Sequence, residues 1–230
     1  MRVLITGSSG QIGSNLALKL LEQGHYVYGI DVRRNRWTDR FETLLQDLSV
    51  PYTQFKGGIG YVEYPDDLDI VVHFAAHAKV HELVEQPVRA LANVTMTFNV
   101  LEFCRQNNLP IVFSSSREVY GDIHRYITDE THADFSFTES PYSASKISGE
   151  ALIYSYAQCY DLPYLVTGRV RQAVNIVRTL DQNVNFPGVS SRLLTDSPYL
   201  SSDKAVTTYY RSSFARGWSR RRSWSRCAGV

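Results

Sequence analysis

The chain is poor in several things at once. Its 230 residues hold three cysteines, Cys104, Cys159 and Cys227, and two methionines. An odd number of cysteines with no paired or metal-ligand spacing argues against a disulfide framework and for a reducing compartment. No apolar run approaches the ~20 residues of a membrane span. The first residues enter a strand-like run at once, so the expectation is a cytoplasmic protein without a leader. His73, His77 and His81 lie close in sequence, but no carboxylate or cysteine spacing accompanies them, so no metal site is expected. Net charge is also scarce, at +1. That balance hides an asymmetry: residues 1–167 hold 13 Lys and Arg against 20 Asp and Glu (−7), and residues 168–230 hold 11 against 3 (+8). No glutamate follows Glu150.

What is present begins with MRVLITGSSGQIGS. Val3, Leu4 and Ile5 have the composition of a buried parallel strand. Gly7, Gly10 and Gly13 follow at three-residue spacing, and Ile12 to Leu21 reads as a helix. Glycine lets the chain turn sharply off a strand, bring its backbone close to a phosphate and pack the helix on the sheet. The N–H groups and positive dipole end of that helix would face a diphosphate. The next apolar run, Tyr26 to Ile30, ends in Asp31, a carboxylate placed to accept from the ribose hydroxyls of an adenosine. Together these point to dinucleotide binding. Val32 to Trp37 is too polar for a strand and reads as a loop over the adenosine. Its arginines raise the question of NADP, but Asp31 would repel the extra phosphate, so NAD is expected.

Further along, Phe41 to Leu48 reads as a short amphipathic helix and Tyr52 to Phe55 as a third strand. Leu68 to Ala76 is apolar enough for a strand buried on both faces, with Ala75 and Ala76 small enough for a cofactor to lie close. His73 reads as a core histidine rather than a base. Val88 to Gln106 has helical periodicity, with Leu91, Val94, Phe98, Leu101 and Phe103 on or near one face. Ile111 to Phe113 starts another buried strand, which runs into Ser114, Ser115 and Ser116. In SPYSASKISGE, Tyr142 and Lys146 stand one helical turn apart. A tyrosine is a poor base at neutral pH, but a neighbouring ammonium favours its phenolate. A serine hydroxyl could bond the same substrate oxygen, and Lys146 could also reach a ribose.

GSSGQIG, Asp31, HFAA, NVTMTFNVLE, FSSSREVYG and SPYSASK, in this order and spacing, resemble the extended short-chain dehydrogenase/reductase family. Within it they resemble the NAD-dependent nucleotide-sugar epimerase/dehydratase branch, over roughly residues 1–167. The resemblance implies an α/β fold: a doubly wound Rossmann-type parallel sheet, with an incomplete or irregular C-terminal substrate region. It implies NAD contacts at Gly7, Gly10, Gln11, Ile12, Gly13, Asp31, Ile59, Phe74, Ala75, Ala76, Asn93 and Ser114. Ser116, Tyr142 and Lys146 would form the catalytic set, the last two also touching the cofactor, and Asn93 would mainly position active-site elements. The implied activity is that of an isomerase, a UDP-hexose 4-epimerase type working through transient hydride transfer to NAD and a keto-sugar. The implied partners are a UDP-sugar and a second copy paired through Val88–Gln106 and Ser143–Tyr160; no membrane or nucleic acid is expected.

Three departures qualify this. Where the family usually has Asp to hold the adenine amino group, Lys56-Gly57-Gly58-Ile59 offers Gly58, a loss of about 0.5–1.5 kcal/mol. Where dehydratases carry an Asp-Glu pair after the serines, this chain has Arg117-Glu118. Arginine keeps its proton and cannot protonate a leaving hydroxyl, which disfavours dehydration. Glu118 matches the glutamate of UDP-glucuronate decarboxylases, which keeps that reading open beside a solvated loop residue. Last, Leu162 to Val166 matches the family, but residues 168–230 reproduce only fragments of its pattern. The end, RSSFARGWSRRRSWSRC, could bind nucleic acid through arginines and aromatics. The favoured expectation is a remnant, disordered or frame-shifted segment, leaving a non-catalytic NAD-binding fragment as a further alternative.

Overall fold

The computed structural model describes residues 1–50, 67–121 and 135–167. Among these residues six parallel strands form one sheet: β1 (Arg2–Thr6), β2 (Tyr26–Asp31), β3 (Thr43–Leu45), β4 (Ile70–His73), β5 (Ile111–Ser114) and β6 (Tyr164–Thr167). Their order across the sheet is β3-β2-β1-β4-β5-β6. The helices are α1 (Gln11–Glu22), α2 (Val80–Glu85), α3 (Val88–Asn107) and α4 (Pro141–Tyr160). The strand order reverses between β1 and β4, which opens a crevice at the carboxyl ends of those strands.

Alternation along the strands builds two apolar layers. Val3 and Ile5 of β1 join Ile70 and Val72 of β4 in packing with Leu16, Ala17 and Leu20 of α1. Leu4 and Val71 point the other way, to Val100 and Leu101 of α3 and Ile153 of α4. Both faces of the sheet are covered, which is why its strands are apolar throughout. The doubly wound parallel architecture expected from the sequence is present.

Three expectations change. The stretch Phe41 to Leu48 is not a helix: Thr43–Leu45 pairs with β2, Gly29 opposite Thr43 and Asp31 opposite Leu45. Phe41 and Leu48 are buried on either side of that strand, whereas Leu45 is 50% exposed. The i, i+3, i+4, i+7 spacing there mimics a helix, but so short a helix has a costly nucleus. Pairing with the free edge of β2 satisfies its backbone instead. The strand expected at Tyr52 to Phe55 lies outside the described residues, as do Gly58 and Ile59.

The second change concerns β4, which stops at His73, so Phe74 to Ala76 lie beyond the strand at the crevice. The third concerns α3, a helix as expected but turned differently. Leu91 and Phe98 are exposed, with Val88 on the same outward side. The inward side carries Asn93, Thr97 and Asn99 beside Met96, Val100 and Leu101. These polar residues face in because each meets a partner; Asn99 Nδ2, for example, donates at 2.7 Å to the carbonyls of Leu48 and Val50. Among the described residues, no helix is long and apolar enough to cross a membrane.

Candidate functional site

A cleft of about 1080 Å³ opens at the carboxyl ends of the strands. Its walls include the glycine-rich turn, Asp31, Phe74 to Ala76, Ser114 to Ser116, Tyr142 and Lys146. The sequence-nominated residues within the described regions therefore meet at one place, with one partial exception. Asn93 does not line the cleft but stands behind it. Its Oδ1 accepts from the His77 N–H at 2.7 Å, and its Nδ2 donates to the His77 carbonyl at 3.0 Å and to Ser145 Oγ at 3.1 Å. It joins α3 to the loop after β4 and to α4.

The turn after β1 is built for close approach. Gly7 has φ +72, and a Cβ there would stand 2.7 Å from the Ala75 backbone nitrogen. A side chain would be strained by both conformation and space. A Cβ on Gly13 would overlap the Gly7 carbonyl oxygen, so α1 rests directly on the turn. Gly10 caps α1 without a side-chain bond, and the first turn holds no acid. Gly10, Gln11, Ile12 and Gly13 line the cleft, so the start of α1 offers it the kind of donors a diphosphate needs. Asp31 is oriented from two sides: Oδ2 accepts from the Ser9 N–H at 3.0 Å and Oδ1 from the Arg33 N–H at 3.2 Å. The loop over it is held by Asn35, whose Nδ2 donates to the Ser8 carbonyl at 3.1 Å and to Ser14 Oγ at 2.9 Å. These residues fit a dinucleotide.

At the other end, Tyr142 and Lys146 occupy one face of α4, and both are buried. Ser140 starts that helix, its hydroxyl accepting from the Ser143 N–H at 3.1 Å, with Pro141 in the first turn. Burial pushes the Tyr142 phenol above its ordinary value, a hydrogen bond with Ser116 pulls it back, and the Glu118 charge pushes it further up. The spacing argument expects Lys146 to lower it. Instead, the Lys146 ammonium donates to the Ser114 carbonyl at 2.8 Å and lies 5.9 Å from the Tyr142 ring centroid, nearer the Phe113 ring at 4.9 Å. Its charge is directed at the backbone below the tyrosine, so desolvation decides the balance.

Lys146 is itself penalised. Burial lowers its pKa to about 8, against the pull of the Glu150 carboxylate one helical turn on. The folded value lies below the ordinary 10.5, so the unfolded chain binds more protons between the two and stability rises with pH across that window. Below about pH 8 the cost of the buried ammonium is present in full. Lys146→Met is therefore expected to raise the melting temperature of the cofactor-free chain at neutral pH by about 2–4 °C. The gain should shrink as the pH passes about 8. A lower melting temperature at neutral pH, by scanning calorimetry, would show that the bonds to Ser114 and Phe113 outweigh the burial.

Two further participants emerge from the fold: Glu118, which the sequence left between a decarboxylase glutamate and a solvated loop residue, and Glu150. Glu118 turns its carboxylate away from free solution: Oε2 accepts from Ser143 Oγ at 2.7 Å and Ser140 Oγ at 3.2 Å. Its backbone N–H donates to Ser116 Oγ at 3.3 Å. It thus staples the turn carrying Ser116 to the start of the helix carrying Tyr142. Glu150 is buried and accepts from Ser115 Oγ and, at 3.4 Å, from Tyr154. Its position four residues after Lys146 was the available signal. Among the described residues, no group of three or more His, Cys, Asp and Glu could hold a metal ion.

The chain resembles known proteins over the same region. It is 32% identical over 180 residues to the protein CapI of Staphylococcus aureus, covering 71% of this chain and 52% of that one. A crystal structure of UDP-galactose 4-epimerase superposes with a TM-score of 0.62 at 34% identity, over 73% of this chain and 55% of the other. The UDP-glucose 4-epimerase of Thermus thermophilus, solved with NAD, gives a TM-score of 0.56 at 29% identity, over 72% and 54%. This chain spans about half the length of the curated relatives it matches. The profile of the NAD dependent epimerase/dehydratase family matches residues 3–170, and the chain belongs to that family.

Proposed function

We propose that this chain is the cofactor-binding and proton-handling part of an NAD-dependent nucleotide-sugar epimerase of the UDP-hexose 4-epimerase type. The observation that carries the proposal is the meeting of Ser116, Tyr142 and Lys146 with the glycine turn and Asp31 in one cleft. Gly7, Gly10 and Gly13 would let the backbone approach the diphosphate, and the N–H groups of Gln11 and Ile12 at the start of α1 would hold it. Asp31 would take the adenosine ribose and Lys146 the ribose of the nicotinamide half. Ala75 and Ala76 would leave room for the nicotinamide, a ring that accepts and returns hydride when bound. As hydride leaves the sugar carbon, the Tyr142 oxygen takes the hydroxyl proton and Ser116 bonds the same oxygen, leaving a ketone. Rotation of the ketone would let hydride return to the other face of the carbon while Tyr142 gives the proton back to the oxygen, which inverts the carbon.

Glu118 favours this over decarboxylation or dehydration. Its carboxylate is engaged by two serine hydroxyls, and Arg117 takes the sequence position at which the dehydratases the chain resembles carry an acid for the leaving group. Epimerisation asks nothing of either residue. The assay is conversion between UDP-glucose and UDP-galactose; release of carbon dioxide from UDP-glucuronate without hexose conversion would overturn the choice.

Cofactor choice follows from Asp31, whose side chain is 9% exposed and already oriented. A phosphate on the adenosine ribose would meet this carboxylate at close range, so NAD⁺ is expected to bind at least about tenfold tighter than NADP⁺. Asp31→Asn should narrow the gap mainly by improving NADP⁺. Titration calorimetry showing tighter NADP⁺ binding to the unaltered chain would transfer the role to Arg33 and Arg34.

A further inference from the structure

His73 has no part in the proposed chemistry, and it is the odd residue in the apolar run IVVHFAA. It ends β4 with a relative exposure of 1%, its ring stacked on Phe113 at 5.8 Å between centroids. Burial, aided by the Lys146 charge, holds its pKa down at about 3, so near neutrality one ring nitrogen carries a proton and the other does not. Its neighbours decide which.

Thr97 Oγ1 on α3 donates to the Asn93 carbonyl at 3.0 Å. Having spent its proton there, it can only accept from His73 Nε2, 3.3 Å away. Nε2 is then the protonated nitrogen and Nδ1 the acceptor. On that side Thr6 Oγ1, at the end of β1, lies 2.7 Å from Nδ1 and donates to it. The same oxygen accepts from the Ala75 N–H at 3.2 Å. Every proton along the line has one direction: Ala75 to Thr6, Thr6 to His73, His73 to Thr97, Thr97 to Asn93. Beyond Asn93 the side chain continues to Ser145 Oγ at 3.1 Å, and Ser145 donates to the Tyr142 carbonyl at 2.7 Å.

We propose that His73, fixed as its Nε2–H tautomer, is a positioning residue that locks the Ala75–Ala76 wall of the cofactor cleft to Asn93 and, through Ser145, to the helix carrying Tyr142. A buried line of this kind holds two walls of the cleft in register, because breaking one bond leaves a donor or acceptor unpaired in a site that water does not reach. Its effect on ligand binding rests on the cleft being the NAD site; the tautomer does not.

The test has two arms. Nitrogen-15 NMR of the unaltered, cofactor-free chain should show the His73 ring protonated at Nε2 and unchanged between about pH 5 and 8, where an ordinary imidazole titrates. In the second arm, calorimetry should find Thr6→Val and Thr97→Val each weakening NAD⁺ binding about tenfold. The pair together should be little worse than the worse single variant, since both act through one ring. Thr6→Ser and Thr97→Ser, which keep the hydroxyl, should bind like the unaltered chain. An Nδ1–H tautomer, a ring that titrates in that range, or additive losses in the double variant would overturn the proposal. Valine variants that do not fold leave the decision to the tautomer. A chain that binds no NAD⁺ while its ring is held at Nε2–H would overturn the reading of the cleft and not the placing of His73.

Discussion

The Tyr142→Phe variant is expected to lose hydride exchange by about 10²–10⁴-fold while holding NAD⁺ within about twofold of the unaltered affinity. The ring stays, with a relative exposure of 9%, so the packing around α4 is kept and only the acid–base oxygen goes. That oxygen is needed as a phenolate when hydride leaves the sugar, yet burial and the Glu118 charge both disfavour it. Ser116 offers one compensating hydrogen bond. The Lys146 ammonium is spent largely on the Ser114 carbonyl. Burial thus works against Tyr142 as a base in the cofactor-free chain, and a cationic nicotinamide bound beside it would offset part of that penalty. Lys146→Ala should therefore harm both binding and exchange, in contrast to the phenylalanine variant, which harms exchange alone. The measurement is the absorbance of reduced nicotinamide after the NAD⁺-loaded chain is mixed with UDP-glucose. Undiminished reduction in the phenylalanine variant would remove Tyr142 from the chemistry.

Much of this site was legible in the sequence because its signals are local. Glycine spacing after a strand, an acid at the end of the next strand and a tyrosine one helical turn from a lysine each need only the geometry of a single element. Parallel strands buried on both faces announce themselves as continuous apolar runs, and β1, β4 and β5 did so. The failures have the opposite character. Residues 41–48 carry a helical spacing, and only the presence of an unpaired β2 edge makes Thr43–Leu45 a strand. The inward side of α3 looks like its outward side in periodicity, since Asn93, Thr97 and Asn99 face in for partners supplied by distant segments. The Glu118 staple joins residues 22 and 25 positions apart, and Thr6 meets His73 across 67. No spacing rule reaches that far, so the second layer of the site appears only in the fold.

The 230-residue chain is expected to bind NAD⁺ and yet epimerise UDP-hexoses negligibly. Catalysis needs the sugar carbon held at near-attack distance from the hydride acceptor, and a misplacement of ~1 Å can cost about a hundredfold. The described walls of the cleft carry the residues proposed to hold the cofactor together with Ser116, Tyr142 and Lys146. In the UDP-galactose 4-epimerase structure, this chain covers 55% of the length, and the family match ends at residue 170. Residues 168–230 carry a balance of +8 and little core-forming pattern. Their arginines could attract a diphosphate, but attraction without a shaped pocket does not orient a sugar. The comparison is epimerase activity of the full chain against a version ending at Thr167, with NAD⁺ affinity measured for both. Equal, negligible turnover with equal NAD⁺ affinity is the expected result. Robust turnover in the full chain that disappears on truncation would make residues 168–230 a working substrate domain and overturn the expectation.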